Sequence, residues 1–178
     1  MNVTDCFALL DDASAADPAV ARSRLYTRLA GTLECNDAAQ WPQLLADMQD
    51  ALGRGLYAVS LLTYELGGHL LGIDAHPVAG PLARVLLFAQ CEHLTAPQVA
   101  SWLATRAGDS QAGIGAVRAN IGEAEFTAAV DRIHELIAAG DTYQVNYTYR
   151  LRFDAFGSLP ALYGRLRARQ PVPYGALV

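Results

Sequence analysis

The first half of the chain is dominated by apolar runs of strand length. Apolar and polar side chains alternate over residues 25–35, which predicts a half-buried strand with Leu25, Leu29 and Leu33 on one face and Tyr26 on the other. Further strands are predicted over residues 6–10, 56–63 and 84–91. The run over 56–63 is almost continuously apolar, which is typical of a central strand, and the glycines that follow it predict a break.

Apolar residues at helical spacing predict four helices, over residues 41–53, from Thr95 onward, over 123–139 and over 159–169. The first begins at Trp41-Pro42 and is expected to bury Leu44, Leu45, Met48 and Leu52. Gly140 is placed to end the third helix. The fourth carries Arg165, Arg167 and Arg169 near its C-terminus, which either form a solvated helix end or attract a carboxylate substrate.

The most regular pattern lies over residues 142–153, where aromatic and apolar residues alternate with polar ones without a break. It predicts a twelve-residue strand whose aromatic face packs on the preceding helix. The opposite face carries Gln144, Asn146 and Thr148. These side chains either line a polar ligand cavity or pair with a neighbouring layer.

We expect an α+β fold of mostly antiparallel strands with helices packed outside. A stretch rich in glycine, alanine and serine over residues 111–122 predicts a linker. We therefore expect a small N-terminal domain over residues 1–110 and a second domain beginning at residue 123. The sequence stops inside an apolar, strand-like segment, which indicates a truncated protein.

Composition narrows the classes of function. The net charge is −5, no apolar run approaches the ~18 residues of a membrane span, and the N-terminus lacks a basic signal region. We expect a cytoplasmic protein without membrane or nucleic-acid partners, whose three cysteines are reduced thiols. All 13 basic residues are arginine, so the chain offers no lysine nucleophile. No spacing indicates a metal site or a catalytic group.

One segment resembles a known family. The predicted helix 123–139 followed by Gly-Asp-Thr-Tyr-Gln-Val-Asn over residues 140–146 resembles the start of the chorismate-binding domain of chorismate-utilising enzymes. The Gln-Val-Asn ending is similar to component I of the aminodeoxychorismate (para-aminobenzoate) synthases, and anthranilate synthase component I is the sibling group. Other segments similar in kind and order lie at residues 7–12, 23–26, 61–67 and 173–176.

The resemblance implies part of an anthranilate-synthase-like layered sandwich. It implies an enzyme that aminates chorismate to 4-amino-4-deoxychorismate for para-aminobenzoate and folate synthesis. It also implies Mg²⁺ in the full-length enzyme and a glutamine amidotransferase subunit that supplies ammonia. The family's lysine nucleophile and Mg²⁺-binding glutamates belong to a later part of the chain, so the resemblance implies that this chain is inactive alone.

Several members of this family bind L-tryptophan between the opening strand and a proline–aromatic–small segment. By position, the resemblance places such a site at Asp12, Ser23, Arg24, Leu25, Pro173, Tyr174 and Gly175. Asp12 stands where a serine is common in the family. The alternative from a different class is a non-enzymatic module that binds an aromatic amino acid or a partner chain.

Overall fold

The computed structural model describes residues 6–14, 17 and 19–178. Its strands are β1 Ala8–Asp11, β2 Ser23–Cys35, β3 Tyr57–Leu62, β4 Ala83–Leu94, β5 Gly113–Ala119, β6 Leu151–Phe156 and β7 Gly175–Leu177. Its α-helices are α1 Trp41–Gly53, α2 Tyr64–Leu71, α3 Ala96–Ala107, α4 Glu123–Ala139 and α5 Leu159–Arg169. Every pairing between these strands is antiparallel, which confirms the predicted α+β class.

The described chain divides into two compact units. The first contains the described residues up to Thr105 together with Tyr163–Val178, and the second contains Arg106–Leu162. The division expected from the sequence, with boundaries at residues 110 and 122, stays a prediction. The stretch expected to be a linker holds strand β5.

The first unit is built on a five-stranded sheet with the order β3-β4-β2-β1-β7. The prediction that residues 56–63 form a central strand is wrong, because β3 lies at the edge and pairs with β4 alone. Val59 is buried, but Leu61 and Leu62 remain 41% and 55% exposed. The apolar run therefore predicts correctly that a strand forms here, but it does not predict whether that strand lies at the centre or at the edge of the sheet.

Strand β2 does not keep a single apolar face along its length. Its pairing with β4 shifts register between Leu29 and Gly31, and Arg28 has a φ of 58°. Such a bulge moves the following side chains to the opposite face. Leu29 packs with the buried Tyr26, whereas Leu33 packs in the core under α1. The predicted common face for Leu29 and Leu33, with Tyr26 opposite, is therefore wrong.

Two helices of the first unit differ from the expectation, α1 in the residues that it buries and α2 in forming at all. Helix α1 has the predicted bounds, but it buries Leu44 and Ala51 and leaves Leu45 and Leu52 38% and 41% exposed. Thr63 caps the unpredicted α2 by accepting a hydrogen bond from the Leu66 N–H at 3.3 Å. Gly67 and Gly68, which predict a break in regular structure, lie inside this helix. A short helix with a capped N-terminus accommodates them.

The second unit consists of α4 and the two-stranded sheet β5–β6. Helix α4 has the predicted bounds and ends at Gly140, whose φ of 82° is left-handed. The predicted strand over 142–153 is wrong for its larger part, because residues 144–150 hold no regular structure and β6 starts at Leu151. The aromatic alternation reflects packing on the helix, since Phe126 contacts the rings of Tyr147 and Tyr149, each at 5.8 Å.

No helix in the described part of the chain is long and apolar enough to cross a membrane.

Candidate functional site

A pocket of about 410 Å³ opens in the first unit where β1 ends. Five of the seven residues that the resemblance assigns to a tryptophan site line it, namely Asp12, Arg24, Pro173, Tyr174 and Gly175. Leu10, Asp11, Arg22 and Ala176 complete the lining. The fold therefore brings together segments more than 140 residues apart in the chain.

The other two predicted residues lie behind the pocket wall. Ser23 is 1% exposed, its hydroxyl donates to Asp11 Oδ1 at 2.9 Å and it accepts the Asp12 N–H at 3.0 Å. Leu25 is 4% exposed in the core beside Leu9 and Val99. Ser23 thus orients the two acids, and Leu25 anchors β2 beneath them.

Strand pairing positions the two sides of the pocket. Strand β7 pairs with β1 so that Asp11 lies opposite Gly175 and Leu10 opposite Ala176. The Ala13 N–H donates to the Val172 carbonyl at 2.9 Å, which continues the contact beyond the ladder. Pro173 and Tyr174 are therefore held across from the turn that follows β1.

Asp11 is the charged centre beneath the pocket, and its side chain is only 1% exposed. It accepts hydrogen bonds from Ser23 at Oδ1, from the Tyr163 hydroxyl at Oδ2 (3.1 Å) and from Arg167 Nε at Oδ2 (2.7 Å). Arg167 Nη2 also donates to the Ala96 carbonyl at 3.3 Å. A buried carboxylate needs such partners because desolvation otherwise costs several kcal/mol.

This cluster corrects one expectation. Arg167 is neither a solvated helix-end cation nor free for a substrate carboxylate, because its side chain is 14% exposed and is paired with Asp11. Burial and then the negative charge of Asp11 raise the pKa of Tyr163 to about 12. The Tyr163 hydroxyl is therefore protonated at neutral pH and donates to Asp11.

The pocket mouth carries both signs of charge. The Asp12 carboxylate is 15% exposed and lies 3.8 Å from Arg22 Nη1, while its Oδ1 accepts bonds from the Ser14 N–H and hydroxyl, each at 3.1 Å. Arg24 lines the same pocket. A carboxylate and arginines beside the apolar faces of Leu10 and Pro173 can receive a zwitterion with an apolar side chain.

The predicted polar face over residues 144–148 is placed differently. Gln144, Asn146 and Thr148 are exposed in the second unit, and Gln144 Nε2 donates to Asn146 Oδ1 at 3.3 Å. No strand forms over these residues, and the contact between Gln144 and Asn146 keeps these two side chains adjacent. Their lining of a ligand cavity stays a prediction.

The described residues contain no group of three histidine, cysteine or acidic side chains that could hold a metal ion. Mg²⁺, which the family resemblance implies for the full-length enzyme, therefore finds no fitting ligand set in this part of the protein. We assign it no role on the residues described.

Comparison with known proteins gives two findings. A sequence model of a family described as chorismate binding enzyme matches residues 6–178. Anthranilate synthase component 1 of Streptomyces coelicolor is 45% identical over 56 residues, which make up 32% of this chain and 11% of that protein. The match thus spans about a tenth of that relative's length. Because the family model covers nearly the whole sequence, the chain belongs to the family of chorismate binding enzymes.

Proposed function

We propose that this chain supplies the small domain and the first part of the chorismate-binding domain of a cytoplasmic aminodeoxychorismate synthase component I. In that reaction a C–N bond forms on chorismate, the C–O bond of its 4-hydroxyl breaks and water leaves, giving 4-amino-4-deoxychorismate for para-aminobenzoate and folate synthesis. The Gln-Val-Asn sequence at residues 144–146, within a family match over 6–178, is the observation that supports this branch. A glutamine amidotransferase subunit would supply the ammonia.

The sibling activity, anthranilate synthesis, is the second candidate. It is supported by the 45% identity to the Streptomyces coelicolor protein over 56 residues. The two activities differ in their products, since anthranilate synthase releases pyruvate whereas aminodeoxychorismate keeps its enolpyruvyl ether. The test is to express the complete open reading frame that encodes this sequence and supply chorismate, ammonia and Mg²⁺. Mass spectrometry of the product distinguishes the two, and anthranilate with pyruvate would refute the first proposal.

We further propose that the pocket beside Asp12 binds L-tryptophan. The carboxylate of Asp12 suits the ligand ammonium, the arginines at the mouth suit its carboxylate, and about 410 Å³ suits an indole-sized side chain. Calorimetry with this chain tests the proposal. L-Tryptophan should bind, tryptamine should lose the contribution of the arginines, and indole-3-propionate should lose that of Asp12.

Two variants sharpen this test. Asp12→Asn should weaken L-tryptophan more than indole-3-propionate, because only the former carries the ammonium. Asp109→Asn removes an exposed carboxylate of the other unit and is the matched control. Absence of heat with millimolar L-tryptophan would refute the tryptophan proposal. Heat with L-tryptophan supports the tryptophan proposal whether or not the isolated chain binds chorismate.

A further inference from the structure

We propose that Tyr163 is a positioning residue for this pocket, because its hydroxyl packs directly against Gly175 in the wall formed by residues 173–176. The inference deepens the proposed tryptophan site and rests on it for its ligand. Tyr163 belongs to α5 and does not line the pocket, so its effect would pass through Gly175.

The hydroxyl of Tyr163 is held by the carboxylate of Asp11. It donates to Asp11 Oδ2 at 3.1 Å, and that carboxylate is fixed in turn by Arg167 at 2.7 Å and Ser23 at 2.9 Å. Because four polar groups are joined in one cluster around the buried Asp11, the hydroxyl oxygen has little freedom to move. The hydroxyl oxygen of Tyr163 therefore stays close to one position.

Gly175 is the wall residue that lies against this hydroxyl oxygen. A Cβ atom built on Gly175 would collide with the Tyr163 hydroxyl oxygen. The next nearest atoms, the Asp11 carbonyl oxygen and Tyr163 Cζ, would both lie at 3.6 Å, which is ordinary contact. The φ of Gly175 lies outside the left-handed region, so the backbone itself does not require glycine. The space that a side chain would occupy is filled by the hydroxyl of Tyr163.

This complementarity links α5 to the ligand wall. Gly175 pairs with Asp11 in the β1–β7 ladder and lines the pocket beside Pro173 and Tyr174. If the hydroxyl is removed, Gly175 loses the atom packed against it, and the wall beside Asp12 is held less firmly. If a methyl group is added at Gly175, it clashes with the hydroxyl and displaces either the wall or Tyr163.

The prediction that follows is a rescue. Tyr163→Phe alone should weaken L-tryptophan binding by at most about fivefold, because the hydrogen bond that holds the hydroxyl against the wall is worth about that factor. Gly175→Ala alone should weaken it by at least about tenfold, because the methyl group overpacks a buried contact. In the double variant the methyl group occupies the place of the missing hydroxyl, so affinity should recover to within about threefold of Tyr163→Phe, the coupling expected of contacting residues. Tyr64→Phe is the control, since Tyr64 is 94% exposed.

Calorimetry measures the four affinities, and hydrogen exchange of residues 172–178 gives a readout that needs no ligand. Faster exchange there in Tyr163→Phe than in the wild type and Tyr64→Phe supports the inference. Equal losses from Gly175→Ala in both backgrounds, or unchanged exchange in Tyr163→Phe, overturn it. If the wild type binds no L-tryptophan, the ligand proposal fails and exchange alone decides the positioning role. If Gly175→Ala does not fold, refolding in the double variant supports the inference and continued failure overturns it.

Discussion

Removing Arg167 is expected to destabilise the first unit far more than removing an arginine from an exposed ion pair. Arg167→Met leaves the carboxylate of Asp11, 1% exposed, with two hydroxyl donors among the residues that the structure describes, Ser23 and Tyr163. Breaking one partner of a buried pair costs about 3–5 kcal/mol. Because these two hydroxyls remain and the Arg167 side chain is 14% exposed, we expect about 3 kcal/mol, at the low end of that range.

Arg84→Met is the matched control. Arg84 Nε lies 2.8 Å from Glu34 Oε1, almost the same separation as the 2.7 Å between Arg167 Nε and Asp11 Oδ2, but its side chain is 46% exposed. An exposed pair contributes about 0–1 kcal/mol. Both variants therefore remove an Nε–carboxylate bond of nearly the same length, and they differ in burial and in the bond from Arg167 Nη2 to the Ala96 carbonyl.

Urea unfolding followed by tryptophan fluorescence measures this difference. Both tryptophans, Trp41 and Trp102, belong to the first unit, so the signal reports on that unit alone. A double-mutant cycle with Asp11→Asn should give a coupling of at least about 1 kcal/mol. The reasoning is refuted if Arg167→Met costs no more than Arg84→Met.

Three further predictions concern the second unit, pH and activity. Gly157→Ala should destabilise the second unit by at least about 2 kcal/mol, because the φ of Gly157 is 83° and a Cβ would strike the Gln111 carbonyl and Ala112. Hydrogen exchange of β5 measures this loss, and Gly115→Ala is the control because a Cβ there would meet open space. Raising the pH from 10 to 12 should lower the urea midpoint of the wild type more than that of Tyr163→Phe, because folding raises the Tyr163 pKa from 10.0 to about 12 and the unfolded chain releases that proton first. This contribution is complete below pH 10 and is lost as the pH passes about 12; parallel curves would contradict it. The chain alone should form no aminodeoxychorismate from chorismate, ammonia and Mg²⁺, since it holds no lysine; product above background by chromatography would disprove this.

Local chemistry made some elements predictable. Helix α4 was bounded correctly because Gly140 supplies the left-handed residue that ends it, and α1 because Pro42 suits a first turn. The place of a strand in its sheet, and the face on which its side chains lie, were harder to predict. Burial of β3 depends on which strands pair beside it, and the face of Leu33 depends on a bulge at Arg28 that no alternation pattern reveals.

The site was predictable only in part. Residues such as Asp12 and Pro173 came from family resemblance, and the fold places them around one pocket. The pairing of Asp11 with Arg167 had no local signal, because these residues are 156 positions apart. The sequence does contain one signal for it. An acid at the end of an apolar strand becomes buried with that strand, and a buried carboxylate requires a cation or hydrogen-bond donors from another part of the chain.

The discontinuity of the first unit has a consequence for the order of assembly on the ribosome. Strands β1 to β4 emerge before residues 106–162, and Tyr163, Arg167 and β7 emerge after them. Until then, Asp11 lacks the cation of Arg167 and β1 lacks its neighbour β7, so the nascent sheet has an open edge at β1. Closing a loop this long is slow relative to local helix formation. The pocket is thus the last part of the unit to be completed.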